Sequence, residues 1–306
     1  MFLIVILILV LVYILFRGRV EGFESDSKES NKKALICYYG GAFREGNIGS
    51  TKRDSEYGYE AQKNTSTTHA KLKEVLNEKG YQTDILINTR STKYSNQLKR
   101  WYEPYNIILN KISEKLHGKD YMIQSTIENI DKLDKYKYDF ILFIRIDLFL
   151  KPEFYNILDT ESTKINFIAQ NYDPVDCSIT INKNYTSDVE KYIDGNDPKV
   201  VDLFLFLPKK YFYILDSKFK LEHWSWSYFK GMYKLNDEDM GFMTNDKFDS
   251  NSHKLFNEYY FMIGRNEATL KDTHIDETCP KYNENKQMFT KNPTKFYINK
   301  YKNYYI

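Results

Sequence analysis

The chain reads as an α/β protein: a mostly parallel central sheet flanked by helices and preceded by an N-terminal transmembrane helix. Three observations predict this. Residues 138–152, YDFILFIRIDLFLKP, contain a run from Phe140 to Leu150 that is apolar except at Arg145 and Asp147, as in a strand buried on both faces. Residues 34–87 give a short strand, a helical stripe and a second strand, the order of a right-handed parallel crossover. Residues 2–16, FLIVILILVLVYILF, carry no charge and no helix breaker.

As a helix, residues 2–16 span only about 22 Å, but extension to Val20 approaches the roughly 30 Å hydrocarbon core if Arg17 and Arg19 snorkel. Residues 1–20 are therefore expected to form a single-pass anchor. A cleaved signal peptide is disfavoured, because a basic n-region and a small-x-small site before Glu21 are both missing. Both orientations stay open. The arginines favour a cytoplasmic bulk by the positive-inside rule, whereas the triplets at Asn64 and Asn184 would be glycosylated only in a secretory lumen. Residues 21–33, EGFESDSKESNKK, form a polar stem before a globular domain over 34–277.

Within that domain, the first strand (34–38) runs into Gly40, Gly41 and Arg44. Glycines there let the backbone turn sharply and approach a ligand, and a basic neighbour suits phosphate; a plain tight turn is the alternative. Leu72, Val75 and Leu76 define a helix over 67–79 stopped by Gly80, and 83–87 is the second strand. Residues 88–104 read as a long polar loop, a binding segment or mobile cover. Ile123, Ile127, Ile130 and Leu133 place a helix over 120–136. After Pro152 come a short helix to Leu158, a strand at 165–169 and an excursion over 171–196.

Residues 199–208, KVVDLFLFLP, form another apolar strand with one acid, Asp202, which is either structurally paired or faces a site. Residues 222–235 are aromatic and helical; Trp224 and Trp226 belong in the core or stack on a sugar. Asp237, Glu238 and Asp239 stand before an apolar helix start, where they cap it or supply a catalytic base. Residues 278–306 form a Lys-, Asn- and Tyr-rich tail.

Composition narrows the function. With 306 residues, 42% hydrophobic, the chain can bury a sizeable core. Its 44 basic and 42 acidic residues nearly cancel, and no basic tract forms a footprint for nucleic acid. Cys37, Cys177 and Cys279 are too widely spaced for a metal motif and read as free thiols. The informative charges are Arg145 and Asp147. An ionised group away from water costs several kcal/mol unless it is paired or meets a ligand, and this pair sits at the carboxyl end of its strand, where open α/β sheets bind ligands.

Residues 34–44 (ALICYYGGAFR), 85–104, 138–150 (YDFILFIRIDLFL), 200–212 (VVDLFLFLPKKYF) and 237–252 (DEDMGFMTNDKFDSNS) together resemble glycosyltransferase-like proteins of large DNA viruses and algae. Those proteins have the Rossmann-like nucleotide-diphospho-sugar transferase fold of type A. The resemblance implies transfer of a sugar from a nucleotide-diphosphate donor to a glycan or glycoprotein acceptor, at a host endomembrane or a virion. It places Gly40, Gly41, Arg44 and Arg145 at the donor, Asp147 on a divalent cation (Mn or Mg), and Asp239 or Asp202 as catalytic base. One departure stands out: where that fold carries Asp-x-Asp, this chain has Arg145-Ile146-Asp147, so a base replaces the first acid. The rival reading is a non-catalytic carbohydrate-binding domain derived from a transferase and displayed on a membrane or virion surface.

Overall fold

The computed structural model describes residues 32–44, 55–103, 107–112, 119–172, 192, 197–201, 203–221, 225–244, 247–249, 258–263, 300 and 302–304. The expected anchor and most of the expected stem and tail lie outside them, as do Asp202 and Trp224. Among the described residues no helix is long and apolar enough to cross a membrane.

A seven-stranded sheet carries the fold, with strand order β10-β6-β9-β4-β1-β2-β3. Its members are β1 (Lys33–Gly40), β2 (Gln82–Arg90), β3 (Ile107–Ile112), β4 (Phe140–Arg145), β6 (Ile165–Phe167), β9 (Phe204–Pro208) and β10 (Met240–Phe242). Strand β1 pairs in parallel with both β2 and β4, β2 with β3, and β10 with β6, whereas β9 is antiparallel to both of its neighbours, β4 and β6. Strand β9 therefore runs against the rest. The sheet is mixed α/β and mostly parallel, as its buried apolar strands predict.

Alternation along β1 builds two cores. Ala34, Ile36 and Tyr38 join Leu72 and Leu76 of helix α1 (Glu56–Glu78), while Leu35, Cys37 and Tyr39 join Ile123, Ile127 and Ile130 of α3 (Lys119–Lys132). All six β1 residues are buried, and Cys37 is a free thiol, as expected. Phe154 of α4 (Pro152–Ile157) packs on the first face; Trp226 and Phe229 of α5 (Ser225–Tyr233) pack on the second. Two small sheets complete the frame: β5 (Leu148–Leu150) with β12 (Tyr260–Met262), and β7 (Gln170–Tyr172) between β8 (Lys199–Val200) and β11 (Lys247–Asp249).

Several boundaries differ from expectation. The apolar run 140–150 is two strands, β4 and β5, broken by a turn at Ile146 and Asp147. Helix α1 begins at Glu56, because Ser55 caps it by accepting the Gly58 N–H at 2.9 Å. Its first turns bury Gln62, Thr65 and Thr68, polar residues that hide the helical stripe from a count of apolar positions. The expected loop 88–104 contains the end of β2 and helix α2 (Ser95–Trp101), and residues 236–243 form a short 3-10 turn leading into β10 in place of a helix. Asn64 lies inside α1, donating to the Glu60 carbonyl at 2.7 Å, unlike the surface loops in which glycosylation acceptors usually sit.

The first turn of α1 is pressed against the segment leaving β1. A Cβ on Gly58 would lie 2.6 Å from the Phe43 carbonyl oxygen and 3.0 Å from its carbon. Gly58→Ala is therefore expected to lower stability by about 1–3 kcal/mol, read as a lower urea midpoint at unchanged m-value.

Candidate functional site at the carboxyl edge of β1 and β4

Gly40 ends β1 with φ +109°, a conformation that L side chains rarely adopt, and this turns the chain over the sheet edge. Phe43 follows at φ +57°, costly for a residue with a Cβ, yet its ring is fully buried against Tyr94, Trp101 and Tyr59. Helix α2 and its N-cap residue thus supply two aromatic rings, Trp101 and Tyr94, beside the turn, within the stretch expected to be a cover. Two hydrogen bonds fix the backbone of the turn: Ala42 N–H donates to Thr89 Oγ1 (3.1 Å) and Phe43 N–H to Gln62 Oε1 (3.2 Å).

The break between β4 and β5 is fixed by both neighbouring strands and by α1. Arg145 N–H donates to the Leu203 carbonyl (3.1 Å) and Ile146 N–H to that of Tyr39 (2.8 Å). Gln62 Nε2 donates to the Ile146 carbonyl at 2.9 Å, so one buried amide holds both the glycine turn and the Arg-x-Asp turn.

At their junction Asp147 is fully buried and carries three guanidinium hydrogen bonds. Arg145 grips it as a fork, Nε to Oδ1 at 2.9 Å and Nη2 to Oδ2 at 2.7 Å, and Arg44 Nη1 reaches Oδ2 at 3.1 Å. The Arg145 and Arg44 side chains keep 18% and 25% of their surface exposed, against 1% for Asp147. Two positive charges surround one negative charge, so the cluster presents a net positive face where β1 and β4 end. For the Arg145 guanidinium, burial alone would lower the pKa, but the adjacent Asp147 outweighs it and raises the value.

Gly40, Gly41, Arg44, Arg145 and Asp147 are thus brought together. Asp239 is not. It precedes β10, which runs in the direction of β4, so it stands three strands away at the edge from which β4 starts. There it closes its own turn, accepting from Asn236 N–H (2.9 Å) and the Tyr211 hydroxyl (2.7 Å), and both bonds hold its carboxyl below the usual range. Trp226 is buried, stacked on Phe242 at 5.0 Å, with its Nε1 donating to Asp237 at 3.0 Å; this is core packing.

The arrangement does not fit the divalent cation that the resemblance implies. A hard cation takes several oxygen ligands, of which at least one free carboxylate oxygen is the usual protein anchor, with water and substrate phosphate completing the shell. Here both oxygens of Asp147 are taken by guanidinium groups, and among the described residues no group of three His, Cys, Asp or Glu side chains could hold a metal.

Sequence reasoning missed His69. Fully buried on α1, it stacks on Tyr38 with ring centroids 4.1 Å apart, and its Nε2 lies 2.9 Å from the Leu148 carbonyl. A carbonyl only accepts, so Nε2 carries the proton and Nδ1 accepts from the Tyr102 hydroxyl at 2.6 Å. This neutral imidazole ties β5, just beyond Asp147, to α1. Only its spacing of three from Leu72 and seven from Leu76 signals that it faces inward.

No family profile and no curated protein sequence matches the chain. Solved structures give distant likenesses. A mutant of Drosophila β-1,4-galactosyltransferase 7, in complex with manganese, UDP-Gal and xylobiose, aligns at 13% identity and TM-score 0.39, covering 85% of this chain and 80% of its own. A Desulfovibrio desulfuricans G20 protein described as a nucleotide-diphospho-sugar transferase aligns at 9% and 0.41, covering 84% and 97%. A glycosyltransferase involved in glycosylation of the major capsid of PBCV-1 aligns at 9% and 0.28, covering 60% and 63%. At such scores none of them assigns an activity to this chain.

Burial, opposed by the hydrogen bond that Nε2 donates to the Leu148 carbonyl, lowers the His69 pKa from 6.5 to about 3. Its stabilising contribution is complete above pH 6.5 and is lost as the pH falls toward 3, because the unfolded chain takes up the proton first. The loss should approach about 1.4 kcal/mol per pH unit. Urea unfolding between pH 7 and pH 4.5 should show that slope, and His69→Gln should remove it.

Proposed function

We propose that this chain is a glycosyltransferase that binds a nucleoside-diphosphate sugar at the carboxyl edge of β1 and β4 and transfers the sugar to a hydroxyl of a glycan or protein. One observation carries the reading: Arg44 and Arg145, both partly open to solvent, are held by a buried carboxylate at the edge where parallel α/β sheets bind ligands. Guanidinium groups in a fixed fork match phosphate oxygens better than a flexible ammonium does.

In the reaction the bond from the anomeric carbon to the diphosphate oxygen breaks, and its electron pair stays on that oxygen. The departing group gains negative charge, which preorganised guanidinium groups stabilise more than they do the bound donor. The acceptor oxygen forms the new bond and gives up its proton to a base. Asp202 is proposed for that base, since it adjoins Leu203, whose carbonyl accepts from the Arg145 N–H. The proposal extends to an anchor over residues 1–20 that holds the domain at a membrane, supported by the uncharged run of 2–16.

A second reading is favoured by the base that stands in place of the first acid in Arg145-Ile146-Asp147: a carbohydrate-binding domain without turnover. Incubation of the full chain with a panel of uridine and guanosine diphosphate sugars separates the two. Release of nucleotide diphosphate with sugar transfer supports the enzyme; no release with any donor, alongside retention of glycans on an array, supports the binding module.

Arg145→Lys should lower turnover at least about tenfold while shifting the thermal midpoint by only a few degrees, since a point charge cannot reproduce the fork. Equal activity would show that the arginine serves the fold alone. Removal of residues 1–31 should move the protein from the membrane pellet to the supernatant, and an unchanged distribution would remove the anchor.

A further inference from the structure

We infer that the diphosphate is held without a divalent ion, by Arg44 and Arg145, with Asp147 as the buried counter-charge that aims them. This rests on the donor reading above and concerns only what grips the phosphates.

The carboxylate at the place of a metal ligand is already saturated with cations. Asp147 offers two oxygens with about four lone-pair directions, and three guanidinium N–H groups occupy three of them at 2.7–3.1 Å. A divalent ion brought to this carboxylate would face two positive charges at close range, with no second acid in the Arg145-Ile146-Asp147 turn to compensate. The same charges suit a phosphate. An oxyanion meeting the exposed parts of both arginines needs no removal of a hydrated ion, and Asp147 keeps the two cations together, which unaided they would resist.

The holders of this pair are rigid. The turn that carries Arg44 is fixed by Gly40 at φ +109°, by the hydrogen bonds of Ala42 and Phe43 to Thr89 and Gln62, and by burial of the Phe43 ring. Arg145 ends a strand paired on both sides. Neither guanidinium has to be organised as the leaving group takes up charge. Asp147 is on this account a positioning residue that touches neither sugar nor phosphate.

Calorimetric titration of the full chain with uridine diphosphate and guanosine diphosphate, in EDTA and in manganese or magnesium, tests this. For the preferred diphosphate, EDTA is expected to change the dissociation constant by less than about twofold, and Arg44→Gln to weaken it at least about tenfold. Arg44→Lys, which keeps the charge and guards against misfolding, should fall between them. A diphosphate that binds only with metal present overturns the inference and leaves the transferase reading standing. Unaltered affinity in a folded Arg44→Gln also overturns it. Binding of neither diphosphate under any condition removes both this inference and the donor reading.

Discussion

A carboxylate with no contact to solvent must be neutralised where it stands, and the carboxyl edge of this sheet is organised by that demand on Asp147. Breaking one partner away from a buried ion pair typically costs about 3–5 kcal/mol, so the turn at Ile146, the fork from Arg145 and the reach of Arg44 are mutually dependent. The sharp exit at Gly40 and the buried ring of Phe43 bring Arg44 within 3.1 Å of its partner. Backbone strain in one short segment is thus offset by aromatic packing and by electrostatics in another.

Most of the scaffold was legible because its strands are buried on both faces. Ala34 to Tyr39 and Phe140 to Ile144 alternate between two cores, and such ribbons show as unbroken apolar runs. Their junctions were less visible. Arg145 and Asp147 lie two apart, which within one strand puts both on one face; in fact the chain turns between them, and the two side chains meet through that turn. Hydrophobic periodicity cannot register a break where Ile146, Leu148 and Phe149 keep the run apolar. The first half of helix α1 is hidden for the opposite reason: Gln62 and Thr65 face inward while reading as surface residues.

The sequence shows which charges in the candidate site need a partner, but not which edge of the sheet each of them reaches. Arg44 and Arg145 stood out as charges beside glycines and inside an apolar strand, both settings in which a cation needs a reason. Asp239 drew attention through its acidic neighbours, yet those serve a local turn with Asn236 and Tyr211. Clustering of charge along a sequence says little about which edge of a sheet it occupies. That depends on strand direction, and the reversal at β9 is a property of the whole topology.

Gln62 joins the two halves of the mouth through a single side chain, its oxygen on Phe43 and its nitrogen on Ile146. No shorter residue and no charged one can span that gap with an acceptor at one end and a donor at the other. The segment after β1 and the segment after β4, some hundred residues apart in the chain, are thereby yoked, and a shift of either drags its neighbour along. Evolution of this surface toward new substrates would have to proceed through the outer loops, since drift at the yoke would disturb both arginines at once.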